Sequence, residues 1–593
     1  MNTILAHFSR QKLNQADYLN HKSHTTIHDK DTLHSASKQD NIFITEDFIL
    51  LLSGNIYNHP ASQTAISWIA SLYKKYNTKC FDHIEGIYSI VITDTKAQKV
   101  YFARDRVGAK KLYYYLDQKQ LIISDKLETL FMPKTIQKRI SYSGVSNYFN
   151  FGFLLDPESI YQDCKKVKAG HFICIDLKTM QKTSTLFWSL QECYDHPKDS
   201  KSEQEILTLS ESLLQKSIQK RIPKSTDYGA FLSGGYDSAT ITAMLKQYTP
   251  DLQTFTIGFK QQEIDEAPYA NAIAKHLGTK HTQYYFSDAD ALKIIPDLSE
   301  VYEEPFADYG ATPSVMLAQI AKGAGINTLF GGDGGDEVFA TADDIYRIEK
   351  LLHIPYNIRK NIARLIKITH PSHYLPLQYD TPLATKITKA ADTLQAKTIT
   401  KIIKSRMTLF TDEALFELLK HPLFCYKTPF DNLTFGKYAQ TSDIITGSYF
   451  NSFLRDGELT KVSGALDYHD ISMRNPFLDK ELISFMATIP QELKLKNGIK
   501  KYLLKEIAHR YIPKELLNRP KMGFDIPFSY WMSGVLKELL IDTLNSESIQ
   551  KNEILKQKEV IRIRDAFLNS KKEYKYKLWS IFLYQLWHNR HFS

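Results

Sequence analysis

Residues 233–238 read Ser-Gly-Gly-Tyr-Asp-Ser. They lie between Tyr228-Gly-Ala-Phe-Leu232, an apolar run of strand type, and Ala239-Thr-Ile-Thr-Ala-Met-Leu245, apolar at helical spacing. A strand that passes into a helix through a tight Ser/Gly loop directs the chain toward a parallel α/β sheet, whose strands need helical crossovers. Such a loop also turns successive backbone N–H groups toward one point beside a helix N-terminus, which suits an anion. Gly234 and Gly235 let the backbone approach a polyphosphate closely, and Ser233 and Ser238 add hydroxyl donors. Asp237 would repel phosphate unless a divalent cation stood between them. The loop therefore predicts a magnesium–nucleoside triphosphate site. No GxxxxGK[ST] occurs, so it is not a Walker loop.

With 593 residues the chain exceeds one hydrophobic core, and two domains are expected. Residues 1–190 read as short strands and turns, among them Phe48-Ile-Leu-Leu-Leu-Ser, Ile87-Tyr-Ser-Ile-Val-Ile-Thr and Gln120-Leu-Ile-Ile-Ser, interrupted by a helix over about 61–76. The polar stretch from Gln191 to Ser202 reads as a joint. Residues 191–593 then alternate helix 203–220, strand 228–232, helix 237–248, strand 252–259 and helix 265–277, the pattern of a doubly wound parallel sheet. From about residue 340 the pattern is almost wholly helical.

No apolar run reaches the ~18–20 residues that cross a bilayer, and Met-Asn-Thr-Ile-Leu-Ala-His lacks the pattern of a signal peptide. Cys80, Cys164, Cys174, Cys193 and Cys425 are scattered without a CxxC pair, which points to a reducing, cytoplasmic setting and away from structural zinc. The net charge of +9 is mild for this length. The Lys and Arg between Arg347 and Arg406 read as solvated helix faces, with neither a nucleic acid nor a membrane expected as partner.

Further motifs follow the loop. Gln253-Thr-Phe-Thr-Ile-Gly-Phe259 is a second strand, whose carboxyl end would bring the backbone of Ile257 and Gly258 beside the nucleotide. Leu329-Phe-Gly-Gly-Asp-Gly-Gly-Asp-Glu337 sets glycines, Gly332 among them, around Asp333 and Asp336 after an apolar strand. That is a close-approach loop carrying two carboxylates, and Asp336 with Asp237 offers oxygen ligands to Mg²⁺. Met473-Arg-Asn-Pro-Phe-Leu-Asp479, Asn497-Gly-Ile-Lys-Lys-Tyr502 and Asn518-Arg-Pro-Lys-Met-Gly-Phe-Asp-Ile-Pro527 read, on their own, as helix boundaries with charges.

The SGGxDS spacing matches the loop of the ATP pyrophosphatases. Together with the xxGF strand, the GGDGGDE loop, the RxPFLD segment and the R-x-K-x-G-F-x-x-P segment, it makes the chain resemble the asparagine synthetase family. Gly54-Asn-Ile-Tyr-Asn58, Phe81-Asp-His-Ile-Glu-Gly-Ile-Tyr88 and Ala103-Arg-Asp-Arg-Val-Gly-Ala-Lys-Lys-Leu-Tyr-Tyr114 look like that family's glutamine amidotransferase domain. The resemblance implies an αββα sandwich of Ntn type in 1–190. It implies an α/β ATP pyrophosphatase domain of the adenine-nucleotide α-hydrolase kind with a large helical C-terminal part in 191–593. It also implies adenylation of a carboxylate by ATP with Mg²⁺, followed by attack of an amine or ammonia. Ser233, Gly234, Gly235, Asp237, Ser238 and Lys501 would hold the phosphates, and Asp237 and Asp336 the metal. Lys521 would neutralise charge at the α-phosphate, Asp333 would handle the amine's protons, and Arg474 would stand beside the substrate. Ser472-Met-Arg474 departs from the Glu-x-Arg of many relatives, which puts aspartate as substrate in doubt.

The amidotransferase half departs further. The family's nucleophile is an N-terminal cysteine, whereas this chain begins Met-Asn-Thr and the nearest cysteine is Cys80. Ser53-Gly54-Asn55 stands for Asn-Gly-Glu, and no arginine falls between residues 30 and 40, where Lys30 and Lys38 lack a bidentate fork. Arg104-Asp105 is kept, and serves packing as readily as chemistry. The expectation is an inactive glutaminase, with nitrogen coming from ammonia, a partner enzyme or a substrate amine, as in lasso-peptide cyclases and beta-lactam synthetases, which would make this a macrolactam synthetase-like enzyme. An ammonia-dependent asparagine synthetase and a non-catalytic pseudo-synthetase are the alternatives, and a homodimer is left open. A tRNA-thiolating pyrophosphatase would need cysteines after the loop, where only Cys425 lies.

Overall fold

The computed structural model describes residues 3–9, 25–29, 32–36, 38–133, 136–261, 265–340, 345–374, 381–423, 427–518 and 526–592. The chain divides into two compact units, one of Met1–Ser141, Asp156–Glu192 and Leu466–Ser472, the other of Tyr142–Leu155, Cys193–Ala465 and Met473–Ser593.

The first unit holds two six-stranded sheets. One runs, in spatial order, Cys164–Lys166, Tyr113–Leu116, Gln120–Ser124, Ile4–Ser9, Thr32–Ala36, Thr25–Asp29; the other runs Lys182–Leu186, His171–Asp176, Lys99–Arg104, Gly86–Asp94, Phe48–Ile56, Ile42–Ile44. The Phe48–Ile56 strand shows why they form layers. Its apolar run does not alternate with polar residues, so both faces must be covered. Leu51 packs with Ile4, Ala6 and Phe8 of the facing sheet. Leu50 and Leu52 point the other way, onto Ile66, Ile69, Ala70 and Tyr73 of the Ala65–Tyr76 helix. Thr64 caps that helix by accepting from the Ser67 N–H, so it starts four residues later than the apolar pattern suggests. The result is the expected layered sandwich.

The second unit is built on a five-stranded sheet in the order Lys280–Phe286, Gln253–Phe259, Tyr228–Phe231, Thr328–Phe330, Ser472–Arg474. The Tyr228–Phe231 strand pairs in parallel with both neighbours, Phe231 opposite Phe255 and Ala230 opposite Phe330. The chain therefore winds first to one side of this strand and later to the other. Its carboxyl end is a topological switch point, where open α/β sheets bind ligands. Ala239 and Ala243 of the Tyr236–Lys246 helix share one core with Ala270 and Ala274 of the Ala267–Leu277 helix, and with Ala508 and Ile512. Small side chains on both helices let them close beneath the loop.

Most of the remainder is helical, as expected. Sequence periodicity does not disclose that Phe450–Glu458 is a π-helix, nine residues long. The Tyr142–Phe151 helix belongs to the second unit, where Tyr148 donates to the Ser580 carbonyl at 2.7 Å and Phe149 packs on Phe410 and Tyr584.

Candidate active site

At the switch point the Ser233–Ser238 loop is tied by its own side chains. The Ser233 N–H donates to Ser238 Oγ at 3.1 Å, and the two hydroxyls meet at 3.0 Å. Gly234 has φ +75°, so the left-handed turn needs glycine there. Gly235 begins the helix without any side-chain cap, so the helix terminus is presented as backbone N–H rather than being closed by a hydroxyl.

The glycine loop after Thr328–Phe330 presses against this turn. A Cβ on Gly332 would lie 2.9 Å from both Asp237 Cβ and the Ser238 nitrogen. That contact accounts for the glycine, and it brings Asp336 to Asp237. Lys501 completes the group from a sequence distance of 264 residues. Its Nζ lies 2.7 and 2.5 Å from the two carboxylate oxygens of Asp237 and 2.7 Å from Asp336 Oδ1. Lys501 caps the Tyr502–Ala508 helix at φ +52°, an uncommon conformation for a side-chain-bearing residue and one often found at functional sites. Burial alone would push its ammonium down; the charges of Asp237 and Asp336 outweigh it and hold the group up at about 12. The two carboxylates thus already converge on one positive centre, and that donor set suits Mg²⁺, which needs few carboxylates when phosphates supply the rest. Among the described residues, no group of three or more His, Cys, Asp or Glu forms a denser metal site.

Asp333 faces a second cluster. Burial raises its carboxyl to about 6, the charge of Glu458 adds to the rise, and Lys461 opposes it. Burial and the neighbouring Asp336 push Glu337 up to about 8. Glu458 ends the π-helix, where such turns commonly serve function. It pairs with Lys461 at 2.6 Å, and Lys461 lies 3.7 Å from Asp308. Asn475 is the residue that sequence reasoning missed. Its Nδ2 donates to Asp333 Oδ2 at 2.7 Å, while its Oδ1, in a side chain 1% exposed, has no acceptor bond among the described residues. It occupies the variable position of the RxPFLD segment, so only the structure could single it out.

Ile257 and Gly258 lie at the carboxyl end of the neighbouring strand. A Cβ on Gly258 would come within 2.9 Å of Ala267 Cβ, so the next loop packs directly on the backbone there. The Arg474 carbonyl accepts from the Gly331 N–H at 2.9 Å. Its guanidinium donates to the carbonyls of Arg221 and Met473, at 3.3 and 3.1 Å. Lys521 lies outside the described residues.

In the first unit, Ser53 donates to Asp125 Oδ2 at 2.5 Å, and the Ile4 N–H donates to Asp125 Oδ1 at 2.9 Å. Arg104 pairs with Asp156 at 2.6 Å, both deeply buried, and Asp105 accepts from the N–H groups of Val107, Ala109 and Lys110. The Arg104-Asp105 pair is therefore bonded within the fold. Burial pushes the Cys80 thiol up to about 12 and also raises Cys174, neither a state for a nucleophilic thiolate.

The family described as Asparagine synthase has a model that matches residues 210–589, and the Glutamine amidotransferase domain model matches residues 19–188. Over 567 residues the chain is 24% identical to asparagine synthetase [glutamine-hydrolyzing] 1 of Bacillus subtilis, covering 92% of this chain and 86% of that one. Over 330 residues it is 31% identical to a putative asparagine synthetase [glutamine-hydrolyzing] 2 of Methanocaldococcus jannaschii, covering 53% of this chain and 63% of that one. The amidase chyE of Penicillium rubens is 23% identical over 518 residues, 81% of this chain and 75% of that one. The order of the loops around the switch point and the extent of these matches lead to one conclusion: the chain belongs to the asparagine synthase family.

Proposed function

We propose that the protein carries out the ATP-dependent amidation of its family by adenylating a substrate carboxylate and passing the acyl group to an amine or ammonia, without a glutaminase of its own. The observation that carries the reading is Lys501 held between Asp237 and Asp336 at the mouth of an anion-binding loop. A carboxylate oxygen attacks the α-phosphorus, and the bond to the bridging oxygen breaks with its electron pair leaving on pyrophosphate. Ser233, Gly234, Gly235, Ser238 and Lys501 hold that leaving group through N–H, hydroxyl and ammonium donors. Asp237 and Asp336 would hold Mg²⁺, which when bound neutralises phosphate charge. The backbone of Ile257 and Gly258 would border the adenine, and Gly332 keeps the two loops in contact. Lys521 is proposed to neutralise the charge that builds on the α-phosphate. The amine nitrogen then attacks the acyl carbon, AMP departs with the C–O electron pair, and Asp333 accepts a proton from nitrogen. The assignment of Arg474 to the substrate rests on resemblance alone.

The missing glutaminase is supported by the raised Cys80 thiol, the Ser53 hydroxyl bonded to Asp125, and Arg104 committed to Asp156. Exchange of labelled pyrophosphate into ATP, screened over carboxylates with Mg²⁺, tests the activity; release of ADP and phosphate instead would overturn it. Glutamine supplied with ATP should yield no glutamate above a boiled control. Lys521→Ala should leave ATP affinity nearly unchanged while exchange falls by about 10²–10³-fold, as for loss of one preorganised donor.

A further inference from the structure

The Tyr356–Ile368 helix is turned inside out relative to an ordinary surface helix. Its buried positions are Arg359 and Ala363. Arg359, 3% exposed, donates to the carbonyls of Ile354, Leu394 and Ala396. Ile358, Ile362, Leu365 and Ile368 are between 42% and 62% exposed. At 100° per residue these four form one stripe opposite the Arg359–Ala363 face. Lys360, Arg364 and Lys367 fall on one flank of it, between the apolar and the buried faces, and the helix contains no Asp or Glu. Lys367 is paired with Asp392; Lys360 and Arg364 are exposed. Beyond the helix, Tyr346, Ile354, Tyr374 and Leu383 are exposed as well.

We propose that this face docks on an anionic lipid surface, with the stripe buried among the headgroups and Lys360 and Arg364 meeting lipid phosphates. The cations taken alone read as a solvated face; the isoleucines beside them change that reading. Aliphatic residues on one side with Lys and Arg alongside are the pattern of helices that lie in the membrane interface. Charge complementarity selects lipid over protein: Lys360 and Arg364 stand exposed beside the stripe on a helix that carries no acid, while Arg359 is buried and Lys367 is taken by Asp392. No described helix is long and apolar enough to cross a membrane, so the contact is peripheral. The proposal is independent of the reaction proposed above.

The test is sedimentation of the full chain with vesicles of phosphatidylcholine alone or mixed equally with phosphatidylserine. Partitioning should be at least about tenfold stronger on the anionic vesicles and should weaken with salt. The double variant Ile362→Glu/Leu365→Glu should lose about tenfold, and so should Lys360→Glu/Arg364→Glu, with pyrophosphate exchange or the unfolding midpoint unchanged as the check on folding. Wild-type protein that stays in the supernatant overturns the proposal. So does a wild-type dimer that ignores vesicles and that Ile362→Glu/Leu365→Glu makes monomeric, because the stripe would then be a contact between copies.

Discussion

Asn475 donates to Asp333 at 2.7 Å and keeps its own Oδ1 buried without a partner among the described residues. An orphaned buried acceptor costs about 1–3 kcal/mol, and it is relieved when an N–H arrives beside it. In the proposed reaction the amine that approaches Asp333 is such a donor. Asn475→Leu should therefore leave pyrophosphate exchange within about twofold of wild type while raising the amine KM about tenfold, the equivalent of one hydrogen bond. Equal losses in both assays would show that Asn475 only supports the loop.

In the proposed reaction the pH profile of the amine step follows from Asp333. Its carboxyl titrates near 6 because it is buried and faces Glu458. Only the ionised form accepts a proton, so amide formation should rise with pH through about 6 and level above it. Asp333→Asn should be slow and lack that inflection. Pyrophosphate exchange, which asks nothing of Asp333, should not show it in either protein.

Lys501→Met leaves Asp237 and Asp336 facing each other without their shared counter-charge. Exchange should fall by about 10²-fold, and stability by roughly 3 kcal/mol, the lower end for a broken buried pair because the carboxylates are partly solvated. Lys501→Arg should rescue poorly, since a planar fork cannot serve both carboxylates as a point charge does. Urea titration and exchange on the same preparations check both statements.

The loop-and-strand logic of this unit was legible because it is local: six residues of turn chemistry and an apolar period place the Tyr228–Phe231 strand and the Tyr236–Lys246 helix to within two residues of the expected 228–232 and 237–248. The glycines of the second loop announced a close approach, and the structure supplies the neighbour, Asp237. The role of Lys501 as the bridge between Asp237 and Asp336 was not legible, since that relation spans 264 residues and is set by how the helices pack. The bonds from the Arg474 guanidinium to the Arg221 and Met473 carbonyls were not legible either, since one of them spans 253 residues. The exposed stripe was hidden for another reason: periodicity finds an apolar face without telling which way it points.

Gly332→Ala tests the contact between the two loops. The added methyl would meet backbone and Cβ atoms at 2.9 Å, which cannot swing aside as a flexible side chain can. The expected result is destabilisation by about 1–3 kcal/mol together with a large loss of exchange. Near-normal exchange in Gly332→Ala would mean that the loops separate freely.

Acid should weaken the first unit through two histidines. Burial pushes His7 and His34 down to about 4 from an ordinary 6.5. Between those values the unfolded chain binds protons that the folded unit does not. Stability is therefore full above about 6.5 and is lost as pH falls toward 4, on the order of 2–3 kcal/mol for each histidine. His34→Gln should flatten this dependence in thermal unfolding of the full chain followed from pH 7 downward.

Asp237, Asp336 and Lys501 emerge from the ribosome in that order, far apart in time. A nascent chain that has made the first two has the serine–glycine loop and two carboxylates, without the lysine that pairs with both. A truncated product ending before residue 501 is in the same state. The Asp237–Asp336–Lys501 group is thus completed only once Lys501 has been made, and the distance of one lysine along the message sets the moment at which the two loops gain their shared counter-charge.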